Sequence, residues 1–571
     1  MDLKTRKQLF FVLLGIMCVT LLPYLGMTDF HTKGEPRESV VAYSMLETGN
    51  WILPESAGGD MAYKPPFFHW TIALSSLPLG EITEYSSRFP SAIATIVMAL
   101  VFFSFFAKRT DPYKSFLATI LFVSSFEVHR AAMNTRVDGM MTAFIVIAII
   151  QLYKWWEQGM RGIPLWAILT MSMGTMTKGP IGFLLPCGAM GLFLLIKQVP
   201  FYKAFYKLAF LAILACIIPG IWYYMAYQQG GDEFLALVKE ENLDRFMGKM
   251  SYRSHENPVH YNFVTMIAGY VPWTLMLLMS LFAVNYKNLR ARSEGLWLRL
   301  VHWVETTNPA RLYALVSALF IFVFYCIPKS KRSVYLLPVY PFAAIFIADL
   351  FLWVLRTKPS FWVIFGSIIA SLTSLVLIVF AAIKLHLIDL SVFGTGEAIE
   401  KGMQYVTEIG QSSVSFLGLV SLLVAVIFTF YFVRFVRKGI QGVPLMAIII
   451  ALVMSLQLLL DGLILPPVLN HKSVKAYAAQ VEELVPEGKV YGFIPIDMLR
   501  YYIINFYIGD RVARFEEEEP TSGYVLVGEE AYKNVFEPRY GDQYHFEPVI
   551  RTDHDDTVIR DYIWLYKFER K

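Results

Sequence analysis

The sequence predicts a polytopic α-helical membrane protein with a small C-terminal α/β domain, and three observations predict it. Hydrophobic residues make up 56% of the 571 residues and charged residues only 17%, against roughly a quarter charged in a soluble domain. The apolar residues gather in runs that approach the roughly 20 needed to cross a bilayer. Residues 466–571 break that pattern, being much more polar and alternating in hydrophobicity over short stretches.

Thirteen runs are candidate spans, at about 9–27, 90–107, 114–128, 138–156, 163–177, 180–197, 207–227, 261–284, 311–327, 333–354, 361–384, 413–435 and 443–465. The first follows a basic stretch (Lys4, Arg6, Lys7) with no small-residue cleavage site after it, so it reads as an uncleaved span. With the N-terminus cytoplasmic, the inner loops carry Lys108, Arg109, Lys114, Lys154, Arg161, Lys197, Lys203, Lys207, Lys287, Arg290, Arg292, Arg299, Arg311, Arg356, Lys358, Arg434, Arg437 and Lys438, a coherent positive-inside pattern. Thirteen crossings leave the C-terminal domain outside. The expected division is therefore 1–465 as a transmembrane domain with outer loops at 28–89 and 228–260, and 466–571 as an extracytoplasmic α/β domain. In that domain 489–494, 511–515 and 523–527 read as strands, and 471–485, 497–507 and 529–536 as short helices.

The net charge of +4 over this length does not imply a nucleic-acid partner, and no helix-turn-helix or zinc-knuckle pattern occurs. The four cysteines, Cys18, Cys187, Cys216 and Cys326, lie in apolar runs without CxxC spacing and read as small packing residues.

More informative are the cations on the outer side, against the charge bias: Lys33, Arg37, Lys64, His129, Arg130, Arg136, Lys178, Arg245, Lys249, Arg253, His255, Lys329, Lys331 and Arg332. Singly, each could be a snorkelling anchor. Together they point to a shared anion, a phosphate at the outer interface. In the first outer loop, Glu35, Arg37, Glu38 and Glu47 lie in a stretch with apolar Val40, Val41, Tyr43, Met45 and Leu46 at roughly helical spacing. Pro36 suits its first turn, Glu35 lies near its positive N-terminus, and Gly49-Asn50-Trp51 ends it. Next, Tyr63-Lys64-Pro65-Pro66 sets a lysine on an extended backbone stiffened by two prolines, before the aromatic stretch Phe67-Phe68-His69-Trp70. A later loop brings Arg253 and His255, and Pro328 to Pro338 brings Lys329, Lys331, Arg332 and Tyr335 to a helix junction. His255 could carry a proton, donate to a phosphate or bind a metal, although no HExxH spacing occurs.

Taken in order, Gly34-Glu35-Pro36-Arg37 through Trp51, Tyr63-Lys64-Pro65-Pro66, Arg88-Phe89-Pro90-Ser91, Thr177-Lys178-Gly179-Pro180, Arg245-Phe246 and Ser330-Lys331 with Tyr335-Leu336-Leu337-Pro338 carry a resemblance. They resemble the GT-C glycosyltransferases of the protein O-mannosyltransferase superfamily, especially the bacterial aminoarabinose transferases acting on lipid A. The resemblance implies a GT-C fold and an enzyme of the inner (cytoplasmic) membrane and cell envelope. Such an enzyme transfers a sugar, usually with inversion, from a polyprenyl-phosphate donor to a lipid, glycan or protein acceptor on the periplasmic side. It implies that Lys64 binds the carrier phosphate, with Arg253 or His255, and Tyr335, as further contacts. Lys331 and Arg332 join Lys64 and Arg253 as cations for the phosphate charge, while Glu35, beside Arg37, would be the base for a hydroxyl acceptor.

Two departures bear on this assignment. The family's first-loop Asp-Glu is Gly34-Glu35 here, so Glu35 is left as the carboxylate. Its Glu-Lys-Pro-Pro is Tyr63-Lys64-Pro65-Pro66, which removes an acid that could help hold a divalent metal, and no cofactor is assigned. Two rival readings are a polyprenyl-lipid flippase or transporter, which calls for ionisable residues at mid-membrane, and a non-catalytic envelope assembly protein, in which Lys64→Ala would be silent.

Overall fold

The computed structural model describes residues 3–244, 247, 249, 256–284, 295–389, 396–496 and 500–571. Two compact units make up the chain. One comprises Met1–Pro23, Ser91–Val376 and Ser421–Leu458, and the other Tyr24–Pro90, Leu377–Val420 and Leu459–Lys571.

The protein is a multi-pass membrane protein. Among the described residues eight helices are long and apolar enough to cross a membrane, or up to ten if the two bent pairs, Phe201–Ala215 with Ile217–Asp244 and His260–Gly269 with Trp273–Leu281, each count as one span. Each of the thirteen expected runs overlaps one or two helices, but several are too short to count. The 114–128 run is divided between Pro112–Val123 and Phe126–Ala132. The 163–177 run forms the 14-residue helix Leu165–Lys178, about 21 Å long against a hydrocarbon core of roughly 30 Å.

Within the first unit, Leu165–Lys178 packs closely on Ile181–Ile196. A Cβ on Gly182 would stand 2.2 Å from the Thr175 backbone nitrogen, so the glycine lets the two backbones meet. That contact fixes the end of the helix where Lys178 sits. Trp273 is fully buried, donates to Ser124 Oγ at 3.0 Å and lies 5.7 Å from the Phe365 ring.

The second unit holds a five-stranded sheet: β1 (Val490–Phe493), β2 (Val512–Arg514), β3 (Ser522–Gly528), β4 (Tyr544–Arg551) and β5 (Ile563–Arg570), in the order β2-β1-β3-β5-β4. β1 runs parallel to β2 and β3, whereas β5 is antiparallel to β3 and β4. Side chains alternate between faces as strand geometry requires. Val490, Leu526, Ile563 and Leu565 enter one core; Phe493, Val525, Val527, Tyr566 and Phe568 enter the other. The three strands read from the sequence are present, and β4 and β5 are additional.

The first of these cores also contains Phe30 and Val40, so the first outer loop folds together with the sheet. Phe30 meets Phe506 edge to face at 4.8 Å. Lys475 reaches both Asp29 at 2.9 Å and Glu84 at 2.8 Å, and Glu84 also accepts from Tyr507 at 2.7 Å. Ser44 donates to Asp510, and Arg514 to Asp60. The loop helix itself spans Gly34–Thr48 and stops at Gly49, whose left-handed φ of 69° returns its N–H to the Met45 carbonyl.

Candidate active site

Glu35 and Glu38 lie three residues apart on the Gly34–Thr48 helix, so both carboxylates leave the same face. Their surroundings differ. Glu35, 1% exposed, is clasped by Arg88, whose Nε donates to Oε1 at 2.8 Å and whose Nη2 donates to Oε2 at 3.1 Å. The remaining guanidinium nitrogen donates to the carbonyls of Leu25 at 2.7 Å and Thr28 at 2.6 Å. Arg88, 2% exposed, also lies over the Phe30 ring. This bidentate, fully buried pair ties the helix to the chain entering it. It occupies both oxygens of Glu35.

Glu38 is also buried, but three groups share it. Arg37 Nη2 and Lys64 Nζ both donate to Oε1, at 2.7 and 2.9 Å, while His69 Nε2 meets Oε2 at 2.8 Å. The side chain of Lys64 is 22% exposed and that of Arg37 41% exposed, so the cations reach the surface and the carboxylate does not. Burial pushes the Glu38 carboxyl up. Lys64, then Arg37 and His69, outweigh burial and hold it well below the usual carboxylate range. Lys64 owes its placement to Pro65 and Pro66, which lead directly into the helix Phe67–Ser76, and that helix in turn delivers His69 from its first turn. Trp70, one residue on, anchors the helix by donating to the Trp51 carbonyl at 2.8 Å.

In the other unit, Asp138 at the start of Val137–Glu157 pairs with Lys178, whose ammonium lies 4.5 Å from the centre of the Tyr335 ring. Arg136 and Arg332 act on Asp138 electrostatically. Arg130 pairs with Glu127 at 2.7 Å and reaches Ser333 Oγ at 3.5 Å. The three cations at 329–332 do not share one setting. Lys329 is exposed, Arg332 half-buried, and Lys331 buried with its ammonium on the Pro328 carbonyl. Arg253 and His255 lie outside the described residues, as do Arg245 and Phe246. Just after them, Glu256 forms a β-bridge with Ser330, and Asn257 donates to the carbonyls of Lys329 and Lys331.

Of the residues expected from sequence, Arg37 and Lys64 meet on one carboxylate, and it belongs to Glu38. Glu35 is engaged elsewhere. Lys331, Arg332 and Tyr335 belong to the first unit, and Tyr335 stacks on Tyr325 at 5.5 Å. Glu38 and His69 carry no role in the sequence reading. A usable signal for Glu38 was its position one helical turn after Glu35, on the face that Lys64 had to approach. Among the described residues no three or more His, Cys, Asp or Glu side chains come together as a metal site requires.

Residues 63–223 match the family model described as dolichyl-phosphate-mannose-protein mannosyltransferase. The chain is 26% identical over 362 residues to the undecaprenyl phosphate-alpha-4-amino-4-deoxy-L-arabinose arabinosyl transferase of Shewanella sediminis, covering 61% of this chain and 59% of that protein. To the second such transferase of Pseudomonas fluorescens it is 27% identical over 300 residues, covering 50% of this chain and 53% of that one. An uncharacterised Aquifex aeolicus protein is 25% identical over 342 residues, 58% of this chain and 62% of its own. The matched region thus spans little more than half the length of these relatives. The crystal structure of ArnT from Cupriavidus metallidurans bound to undecaprenyl phosphate superposes with a TM-score of 0.70 at 17% identity, covering 97% of each chain. The chain therefore has the GT-C fold of ArnT, and part of its sequence is similar to the arabinosyl transferases.

Proposed function

We propose that this protein is a membrane glycosyltransferase that takes a sugar from a polyprenyl-phosphate donor and delivers it to a lipid A-like acceptor at the outer face of the cytoplasmic membrane. In this reading the N-terminus is cytoplasmic and the sheet domain periplasmic. The observation that carries the proposal is Lys64, a partly exposed ammonium held on proline-stiffened backbone beside Arg37, within the segment that matches the family model. The names of the relatives supply the donor class, undecaprenyl phosphate bearing an aminoarabinose.

The chemistry accounts for a cation at that place. The donor is a phosphodiester with one negative charge. An acceptor oxygen forms a bond to the anomeric carbon as the bond from that carbon to the phosphate oxygen breaks, with its electron pair staying on the phosphate. The carbon inverts, and the departing polyprenyl phosphate gains a second negative charge. A positioned ammonium stabilises that developing charge more than it stabilises the donor, which is what accelerates a reaction. A phosphate acceptor is already anionic and calls for no strong base. That suits a chain in which Glu35 is clasped by Arg88 and Glu38 is held by cations.

The test incubates purified protein in lipid nanodiscs with undecaprenyl-phosphate aminoarabinose and lipid A, and follows release of undecaprenyl phosphate. Turnover that collapses in Lys64→Ala supports the proposal. No turnover with this or other polyprenyl-phosphate sugars overturns it, as does full turnover by Lys64→Ala. The same assay ranks Arg253, His255, Arg332 and Tyr335 singly; Lys331, with its ammonium on a backbone carbonyl, is expected to matter least among them.

A further inference from the structure

Glu38 combines two features that a purely structural ion pair would not need. Its one oxygen Oε1 serves both Lys64 and Arg37, the two cations that reach the surface, while Oε2 is taken by the buried His69. The paired glutamate one turn earlier shows the alternative, since both Glu35 oxygens go to a single buried arginine. Moreover, the His69 Nδ1 is buried without a hydrogen-bond partner, so this ring is kept in the interior for what its Nε2 does.

We infer that Glu38 is a built-in stand-in for the donor phosphate: its Oε1 gathers Lys64 and Arg37 before the donor binds and yields them to the phosphate, while His69 retains Oε2. The inference rests on the reading of Lys64 as the phosphate contact and adds a step to it. An oxyanion that accepts from an ammonium and a guanidinium at 2.9 and 2.7 Å offers those cations what a phosphate oxygen would. Without it, two like charges side by side would repel and spread into solvent. Two partly exposed side chains can exchange partners with modest motion, which the enclosed Arg88 cannot do. The exchange leaves Glu38 as a buried anion, and a buried charge stripped of partners is heavily penalised. The His69 ring meets that need by donating from Nε2. Glu38 thus positions the binding cations, and His69 positions Glu38.

The test measures the affinity of full-length protein in nanodiscs for undecaprenyl phosphate, with thermal unfolding recorded for each variant. Glu38→Gln keeps the shape and the contact to His69 but removes the competing charge, so binding should tighten by about threefold to tenfold. His69→Ala should weaken binding, because the yielded carboxylate has nowhere to go, and His69→Gln, whose amide can still donate, should restore it. The His69→Ala penalty should vanish in a Glu38→Gln background. A purely structural histidine would not give that result. Binding by Glu38→Gln that is unchanged or weaker overturns the inference, as does a His69→Ala penalty that persists without the carboxylate. If Glu38→Gln does not fold, Glu38→Asp, one methylene short of both cations, is held to the same sign. Equal binding by wild type and Lys64→Ala, or none by wild type, defeats the functional reading and this inference with it. A Lys64-dependent wild type with no tightening in the Glu38 variants defeats the inference alone.

Discussion

Glu35 and Glu38 sit one helical turn apart, are both buried and are both paired with arginine, yet they are opposite kinds of site. Glu35 is enclosed: Arg88 donates to both its oxygens and spends its remaining nitrogen on two backbone carbonyls. Glu38 is shared among a lysine, an arginine and a histidine, two of which reach the surface. The difference teaches that burial of a charge does not by itself mark function. What separates the two is whether the partners can leave.

The two glutamates differ most in what their arginine and lysine partners support. Arg88→Ala removes the bidentate partner of the buried Glu35 carboxylate, and unfolding should lose about 3–5 kcal/mol, seen as a large drop in thermal unfolding temperature. Lys64→Ala is the mirror case. Turnover per folded molecule should fall by roughly 10²–10³-fold, while the unfolding temperature stays close to wild type because the lysine is partly exposed and Glu38 keeps two partners.

Acid titration separates Glu38 from its neutral variant. Glu38 is held well below its ordinary value of 4.5, with Lys64 and Arg37 outweighing the burial that pushes it up. Its pairing therefore contributes stability that is fully present above that value and lost as pH falls through the lower folded one. Glu38→Gln lacks this acid-sensitive part, so the difference in stability between wild type and variant should shrink as pH falls below 4.5. Asp510 and Asp556, both raised chiefly by burial, contribute with the opposite sign, but equally in both proteins. The smallest effect belongs to Lys475→Ala, at the exposed link from Asp29 and Glu84. It should cost about 1 kcal/mol or less and leave turnover per folded molecule unchanged.

Much of this was legible in the sequence where local chemistry decides the outcome. Pro36 and Gly49 bracket the loop helix, Pro65 and Pro66 single out Lys64, and alternation marks β1, β2 and β3. β4 escaped notice because its outer face is polar and an irregular register near Pro548 interrupts it. β5 follows a run of aspartates that reads as loop. The site itself was half legible. Charge against the membrane bias pointed to Arg37 and Lys64, but which acid they would meet depends on a contact across 26 residues, and Arg88 finds Glu35 across 53. Sequence pattern carries no information on such pairings. His69 was hidden by its neighbours, since between Phe68 and Trp70 it reads as one more ring in an aromatic stretch.

In the proposed reaction Lys64, gathered by Glu38, is the cation that serves the carrier phosphate. The measurement that bears on it most directly is the rate of undecaprenyl phosphate release by Lys64→Ala, in nanodiscs with undecaprenyl-phosphate aminoarabinose and lipid A, normalised to folded protein. A loss of roughly 10²-fold or more at an unchanged unfolding temperature is the expected result. Release at the wild-type rate by the folded variant would contradict it.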